Sequence, residues 1–257
     1  MTEITGNAAN GTPTWVDLGI PDLGRAEEFY GAVFGWEFEE GPPETGRYTM
    51  CLLRGHPVAA IMPNPDPGAD TSWWNTYFAT DDCDGAAKRI ADAGGSVVME
   101  PMDVMDSGRM VMALDPHGAQ FGLWHGNAHS GTRFRDEPGS LTWTELETPD
   151  SKAATEFYGA VLQRPIESMG IPDFDYSTVN VDGNPVAGIW GQPERSSARW
   201  MTYFAVADAD ATVGVATEAG GTVERPAQDS PYGRFAVLKD PFGASFAVMV
   251  LPENPPT

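Results

Sequence analysis

The sequence has little with which to build a metal cluster or a disulfide framework. Its 257 residues include two cysteines, Cys51 and Cys83, and four histidines. Two cysteines make neither a disulfide scaffold nor a zinc cluster, so both are expected to be buried, reduced thiols. Positive charge is also scarce: Lys and Arg number 15 against 37 Asp and Glu, a formal charge of −22. Nucleic acid and anionic membrane both demand a basic footprint, so neither is expected as a partner. Acidity on this scale serves solubility and self-repulsion. No run of about 18 apolar residues exists to span a membrane. Met1 to Thr14 is polar and lacks the apolar h-region of a signal peptide, so a cytoplasmic location is expected. Lysine is rarer than arginine, in keeping with a GC-rich bacterial source. GxGxxG, Walker, Ser-His-Asp and Cys-His patterns are missing, which removes the common nucleotide and acyl-transfer chemistries.

What is present is a repeat. TWVDLGIPD (Thr14 to Asp22) returns as TWTELETPD (Thr142 to Asp150), and AEEFYGAV (Ala26 to Val33) returns as ATEFYGAV (Ala154 to Val161). WNTYFA (Trp74 to Ala79) matches WMTYFA (Trp200 to Ala205), AGGSV (Ala93 to Val97) matches AGGTV (Ala219 to Val223), and Gly108-Arg109 matches Gly233-Arg234. DPHGAQFGLW (Asp115 to Trp124) matches DPFGASFAVM (Asp240 to Met249). So many blocks in one order mean a duplicated module. The expected boundaries are an irregular or disordered segment 1–11, modules 12–126 and 140–251, a linker 127–139 and a tail 252–257.

Each copy reads alike. Trp15 to Ile20 and Trp143 to Thr148 are strands ending at Pro-Asp or Thr-Pro-Asp, where Asp22 and Asp150 cap the next helix. Strands follow around Tyr48 to Leu53 and Val58 to Ile61, and around Tyr176 to Val181 and Val186 to Trp190. A second helix runs from about Asp84 to Ala93, or Asp210 to Ala219, and Gly-Gly ends it. The Asp-Pro-X-Gly turn then leads into the last strand. Each copy is βαβββ twice over, and the fold class is α+β with two modules related by a pseudo-twofold. Because the duplication pairs the modules within one chain, a monomer is expected.

The series Pro-Asp, Phe-Tyr, Gly-Trp, Tyr-Phe, Ala-Gly-Gly, Gly-Arg and Asp-Pro-X-Gly resembles the vicinal-oxygen-chelate superfamily, which includes glyoxalase I, bleomycin-resistance proteins and extradiol dioxygenases. The likeness is greatest to two-module bacterial members loosely described as glyoxalase-like proteins or hydroxylases. It implies sheets curled around open cavities, often with a divalent metal. The three strand positions that supply metal ligands in such members fall here on Trp15 and Trp143, Asn75 and Met201, and Gly122 and Ala247. None is a good ligand for a divalent ion, which wants imidazole, carboxylate or thiolate. Neither a metal nor another cofactor is therefore expected. His117 in a turn, His125 and His129 beside the linker, and His56 before Pro57 read as exposed polar residues rather than ligands.

Strand alternation turns Val16, Leu18 and Ile20 to the helix and Trp15, Asp17 and Gly19 to the cavity. The second copy turns Trp143, Glu145 and Glu147 the same way. Asn75 and Tyr77, or Met201 and Tyr203, join them, with Gln120, Gly122 and Trp124 opposite Ser245, Ala247 and Met249. Met110 and Met112 add a soft wall to the first module. Two readings compete. The aromatics plug space as core, or they line a pocket for a small apolar or aromatic ligand. Asp17, Glu145 and Glu147 favour the pocket, because carboxylates are rarely buried alone; Arg109 and Arg234 are their alternative partners. Asp17 and Glu145 are the candidate general bases if a metal-free enzyme is present; a metal-dependent lyase or dioxygenase ranks last. The first module is expected to take a neutral or cationic aromatic ligand, stacked on Trp15 and bonded to Asp17, since so acidic a chain disfavours anions.

Overall fold

The computed structural model describes residues 4–64 and 72–252. The first module runs β1 (Pro13–Ile20), α1 (Leu23–Phe34), β2 (Glu37–Glu40), β3 (Thr49–Leu53), β4 (His56–Pro63), β5 (Trp74–Ala79), α2 (Cys83–Asp92), β6 (Ser96–Val104), β7 (Gly108–Leu114) and β8 (Gln120–Gly126). The second repeats it as β9 (Leu141–Thr148), α3 (Ser151–Leu162), β10 (Ile166–Ser168), β11 (Tyr176–Val181), β12 (Asn184–Gly191), β13 (Arg199–Ala205), α4 (Ala209–Glu218), β14 (Thr222–Ser230), β15 (Gly233–Lys239) and β16 (Ser245–Val250). Asp22 and Asp150 accept the amides of Arg25 and Ala153 at 3.1 and 2.9 Å, the expected N-caps. Gly35 and Gln163 end α1 and α3 in the left-handed region. The short edge strands β2 and β10 were not located by sequence pattern. Much of the expected loop 63–71 and most of the tail lie outside the described residues.

Each module forms its own eight-stranded sheet, ordered β2-β3-β4-β1-β5-β8-β7-β6 in the first and β10-β11-β12-β9-β13-β16-β15-β14 in the second. The strands that begin each βαβββ half lie side by side and antiparallel at the sheet centre, β1 on β5 and β9 on β13. Alternation works as the sequence requires. Val16, Leu18 and Ile20 are fully buried towards the helices, while Trp15 sits in a separate cluster on the concave side.

The helix-side cores belong to neither module alone. One joins β1, α1 and β4 to Phe204, Ala216, Leu238 and Phe246 of the second module. The other joins α2 and β8 to Leu146, Tyr158, Val179 and Trp200. A fully buried phenylalanine such as Phe29 adds about 2–3 kcal/mol to this joint packing. The Asp-Pro-X-Gly turns lock the exchange. Asp240 Oδ1 accepts the amides of Phe242 and Ala244, and its Oδ2 accepts the Tyr30 hydroxyl of the first module at 2.9 Å. Asp115 does the same with His117, Ala119 and the Tyr158 hydroxyl of the second. The linker is docked. Arg135 donates to the Pro13 and Thr142 carbonyls, and its burial lowers its pKa. Residues near the N-terminus also dock, through Ile4 on Arg133 and Asn7 on Gly126.

Candidate functional site

Lateral register assembles the concave face of each module. In the first, Trp15 pairs with Tyr77, Tyr77 with Gly122, and Gly122 with Met112. One step along, Asp17 stands between Ala60 and Asn75. The floor is closed: Trp15, Tyr77, Met112 and Trp124 are between 4 and 8% exposed. Gly122 makes this possible, since a Cβ there would lie 2.2 Å from the Tyr77 ring. Tyr48, Met50, Val104 and Met110 are half-buried around that floor.

Asp17 is 2% exposed and makes no ion pair with another described residue. Its oxygens accept from Asn75 Nδ2 at 2.8 Å, the Tyr77 hydroxyl at 2.9 Å and the Tyr48 hydroxyl at 3.0 Å. Tyr48 in turn accepts from Trp15 Nε1 at 2.7 Å. Burial raises the Asp17 pKa, and the Asn75, Tyr77 and Tyr48 bonds oppose the rise. Burial, followed by the Asp17 charge, pushes the Tyr48 and Tyr77 hydroxyls well above the usual tyrosine range. Asn75 Oδ1 is also engaged, by Gln120 and Trp73.

The second module repeats the construction with a longer acid. Glu145 accepts the Tyr176 hydroxyl at 2.7 Å and the Tyr203 hydroxyl at 3.0 Å, and Tyr176 accepts from Trp143 Nε1 at 3.1 Å. Burial raises the Glu145 pKa. Met201, Tyr203 and Ala247 are buried beneath, with Trp143 half-buried beside them. Glu147, in contrast, is held by arginine, with Arg199 Nε at 2.7 Å and Arg195 Nη1 at 2.9 Å.

Several expectations change. Arg109 and Arg234 are not the partners of the cavity acids. They bind Asp84 and Asp103, and Asp210 and Asp229, at the outer strands. No histidine is in the exposed class, and His129 is drawn in edge-on against Trp15 with ring centres 4.3 Å apart. Burial lowers its pKa to about 4. Among the described residues no group of three or more His, Cys, Asp and Glu is placed to hold a metal. Tyr48 and Tyr176 were missed, although their matching places in the repeat were the signal that could have found them. Trp124 faces the first floor and also borders a cleft of about 200 Å³ with Thr14, Thr80, Asp81 and His125. The other sequence-selected site residues do not border that cleft.

The architecture is shared with known proteins. The TM-score is 0.65 both to an Mn(II)-bound glyoxalase from Novosphingobium aromaticivorans (15% identity, 96% of this chain and 86% of that one) and to the 2,3-dioxygenase LapB from Pseudomonas sp. KL28 (16%, 97% and 96%). At such identities the likeness is one of fold. Sequence relatives are nearer. A putative glyoxylase, CFP32, of Mycobacterium tuberculosis is 42% identical over 247 residues, covering 93% of this chain and 94% of that protein. The anthracycline biosynthesis protein DnrV of Streptomyces peucetius is 39% identical over 264 aligned positions, 96% of each. The family model for the glyoxalase/bleomycin resistance protein/dioxygenase superfamily matches residues 12–123, and that for a glyoxalase-like domain matches 143–249. With its duplicated sheets, its shared cores and both modules matched, the chain belongs to the glyoxalase/bleomycin resistance protein/dioxygenase superfamily.

Proposed function

We propose that the protein binds small, largely apolar aromatic molecules on the concave face of the first module, without a divalent metal. One observation carries the reading: a tryptophan–tyrosine–carboxylate–tyrosine network fills the heart of each module. Trp15, Asn75 and Gly122 supply no competent ligand set. Asn75 Oδ1 already accepts two hydrogen bonds, and the Tyr77 ring takes the space a longer side chain at position 122 would need. The donor chemistry therefore does not fit a divalent ion. Some relatives are named as anthracycline biosynthesis proteins, and anthracyclines are fused-ring aromatics, which supports a planar ligand class here.

The network also sets how a ligand is met. Asp17 is buried and Tyr48 half-buried, so we take the Tyr48 hydroxyl as the polar atom nearer to a ligand. That oxygen donates to Asp17, accepts from Trp15 and keeps one lone pair for a ligand hydroxyl or ammonium. Buried negative charge behind it favours neutral or cationic donors. Tyr48, Met50 and Met110 form the adaptable apolar surround. The raised pKa values of Asp17 and Glu145 favour a second reading, metal-independent general-base catalysis. It ranks below binding because tyrosine hydroxyls already occupy both carboxylates.

Titration with proflavine, a planar cationic aromatic, followed by quenching of tryptophan fluorescence tests the reading. Wild type is expected to bind, and Tyr48→Phe to weaken binding by about 1–2 kcal/mol. Asp17→Asn, which removes the charge behind that hydroxyl, should weaken it by about 1–3 kcal/mol. Affinities unchanged in both variants would remove the first module from the proposal.

A further inference from the structure

The two concave faces share one scaffold and differ in chemistry. Across the first sheet, Met99, Met112, Gly122, Tyr77 and Trp15 stand in register. Across the second, the same row reads Arg225, Val237, Ala247, Tyr203 and Trp143. Two rows along, Gly19 pairs with Met62 in the first module, whereas Glu147 pairs with Trp190 and Arg199 in the second. A methionine-lined surface has been replaced by one of arginine and aromatic rings.

Arg225 is the unusual residue in that set. Its guanidinium carbon lies 5.4 Å from the centre of the Trp190 ring and 5.9 Å from that of Phe235. Its one ionic contact among the described residues is long, 3.9 Å to Glu147 Oε1, too far for a hydrogen bond. Arg199 and Arg195 already hold Glu147 at 2.7 and 2.9 Å. Arg225 thus keeps a planar fork of donors with no acceptor among the described residues, half-buried between two rings. Around it, Arg195, Arg199 and Lys239 bring the cations to four against Glu147 and Glu224, in a chain whose net charge is −22. Glu145, the third acid on this face, accepts two tyrosine hydroxyls. Phe174, 38% exposed, stacks on Tyr176 at 5.3 Å with an interplanar angle of 8° and tilts against Trp190. An exposed ring stacked on a half-buried one, near a guanidinium with no acceptor among the described residues, suits a flat ligand that carries a negative group at its edge.

We infer that the concave face of the second module is a separate binding site for a planar aromatic anion, such as a fused-ring carboxylate. Arg225 binds the charged group, and Trp190 and Phe235 flank the ring system. The inference rests on the reading of concave faces as ligand surfaces, but it assigns the second face its own ligand charge. Local positive charge sets the preference there, against the acidity of the whole chain, because screening confines distant carboxylates to a small effect.

The test is isothermal titration of the full chain with 2-naphthoate and with its neutral analogue 2-naphthamide. Wild type should bind the acid, and Arg225→Met, which restores the side-chain type of Met99, should weaken it tenfold or more. Arg225→Lys should fall between, keeping charge without the fork; it also preserves the comparison if the methionine variant loses its circular dichroism. The amide should bind more weakly and ignore both substitutions. Tyr48→Ala, in the other module, should leave naphthoate affinity unchanged, so failure of the first-module reading is seen separately as lost proflavine response. The inference is overturned if wild type does not bind 2-naphthoate at millimolar concentration, if Arg225→Met binds it equally well, or if the amide shows the same Arg225 dependence.

Discussion

His129 carries the clearest consequence at the scale of single residues. The ordinary histidine pKa of 6.5 falls to about 4 here because the ring is packed against Trp15 and Trp124 and desolvated. The unfolded chain takes up this proton near pH 6.5, but the folded chain does so only near pH 4. The stability involved is therefore complete above pH 6.5 and lost as pH falls towards 4, an effect of about 1–3 kcal/mol. Asp17, Glu145, Asp115 and Asp240 act with opposite sign. Burial raises their pKa values, so acid relieves a cost they impose at neutral pH. Comparison with His129→Phe, which keeps an edge-on ring, isolates the histidine. Between pH 6.5 and 4 the variant should lose less stability in urea than wild type; parallel curves would contradict the assignment.

At the scale of elements, the repeated Phe-Tyr of α1 and α3 is explained by what it reaches. Tyr30 donates to Asp240 and accepts from Trp74 Nε1 at 3.2 Å, all in the buried joint core. Tyr30→Phe orphans both groups and should cost about 2–3 kcal/mol by chemical denaturation. A loss below about 0.5 kcal/mol would mean the exchanged contact does little. Much of this layer was legible in the sequence. Pro-Asp caps, strand alternation and the Asp-Pro-X-Gly turn are local, and duplication let each copy check the other. The partner of Tyr30 was not legible, because nothing local says that a helix of one module ends on a turn of the next. The same limit hid the site's polar chain. Trp15 and Asp17 could be placed inward from alternation alone, but the bond between them runs through Tyr48 just before β3, two strands away both in sequence order and in the sheet. Arg109 and Arg234, the alternative partners offered for the cavity acids, recur for another reason: each pins its own module's second helix to its outer strands.

At the scale of the molecule, duplication has two effects. Each helix-side core is completed by the other module within one chain. With a charge of −22 opposing association, the protein should sediment as a monomer at micromolar concentration; a tight dimer would contradict this. The second effect is divergence, since two faces of one design can change separately once both are tied to a common core. In both, a carboxylate under tyrosine hydroxyls sits at the centre of the site, and the central claim is that this network binds an aromatic ligand with no metal. The most direct test is one titration of proflavine into the full chain, treated with chelator or loaded with manganese, and read by tryptophan quenching. The account predicts the same dissociation constant in both preparations. Binding that appears only after manganese is restored would contradict it.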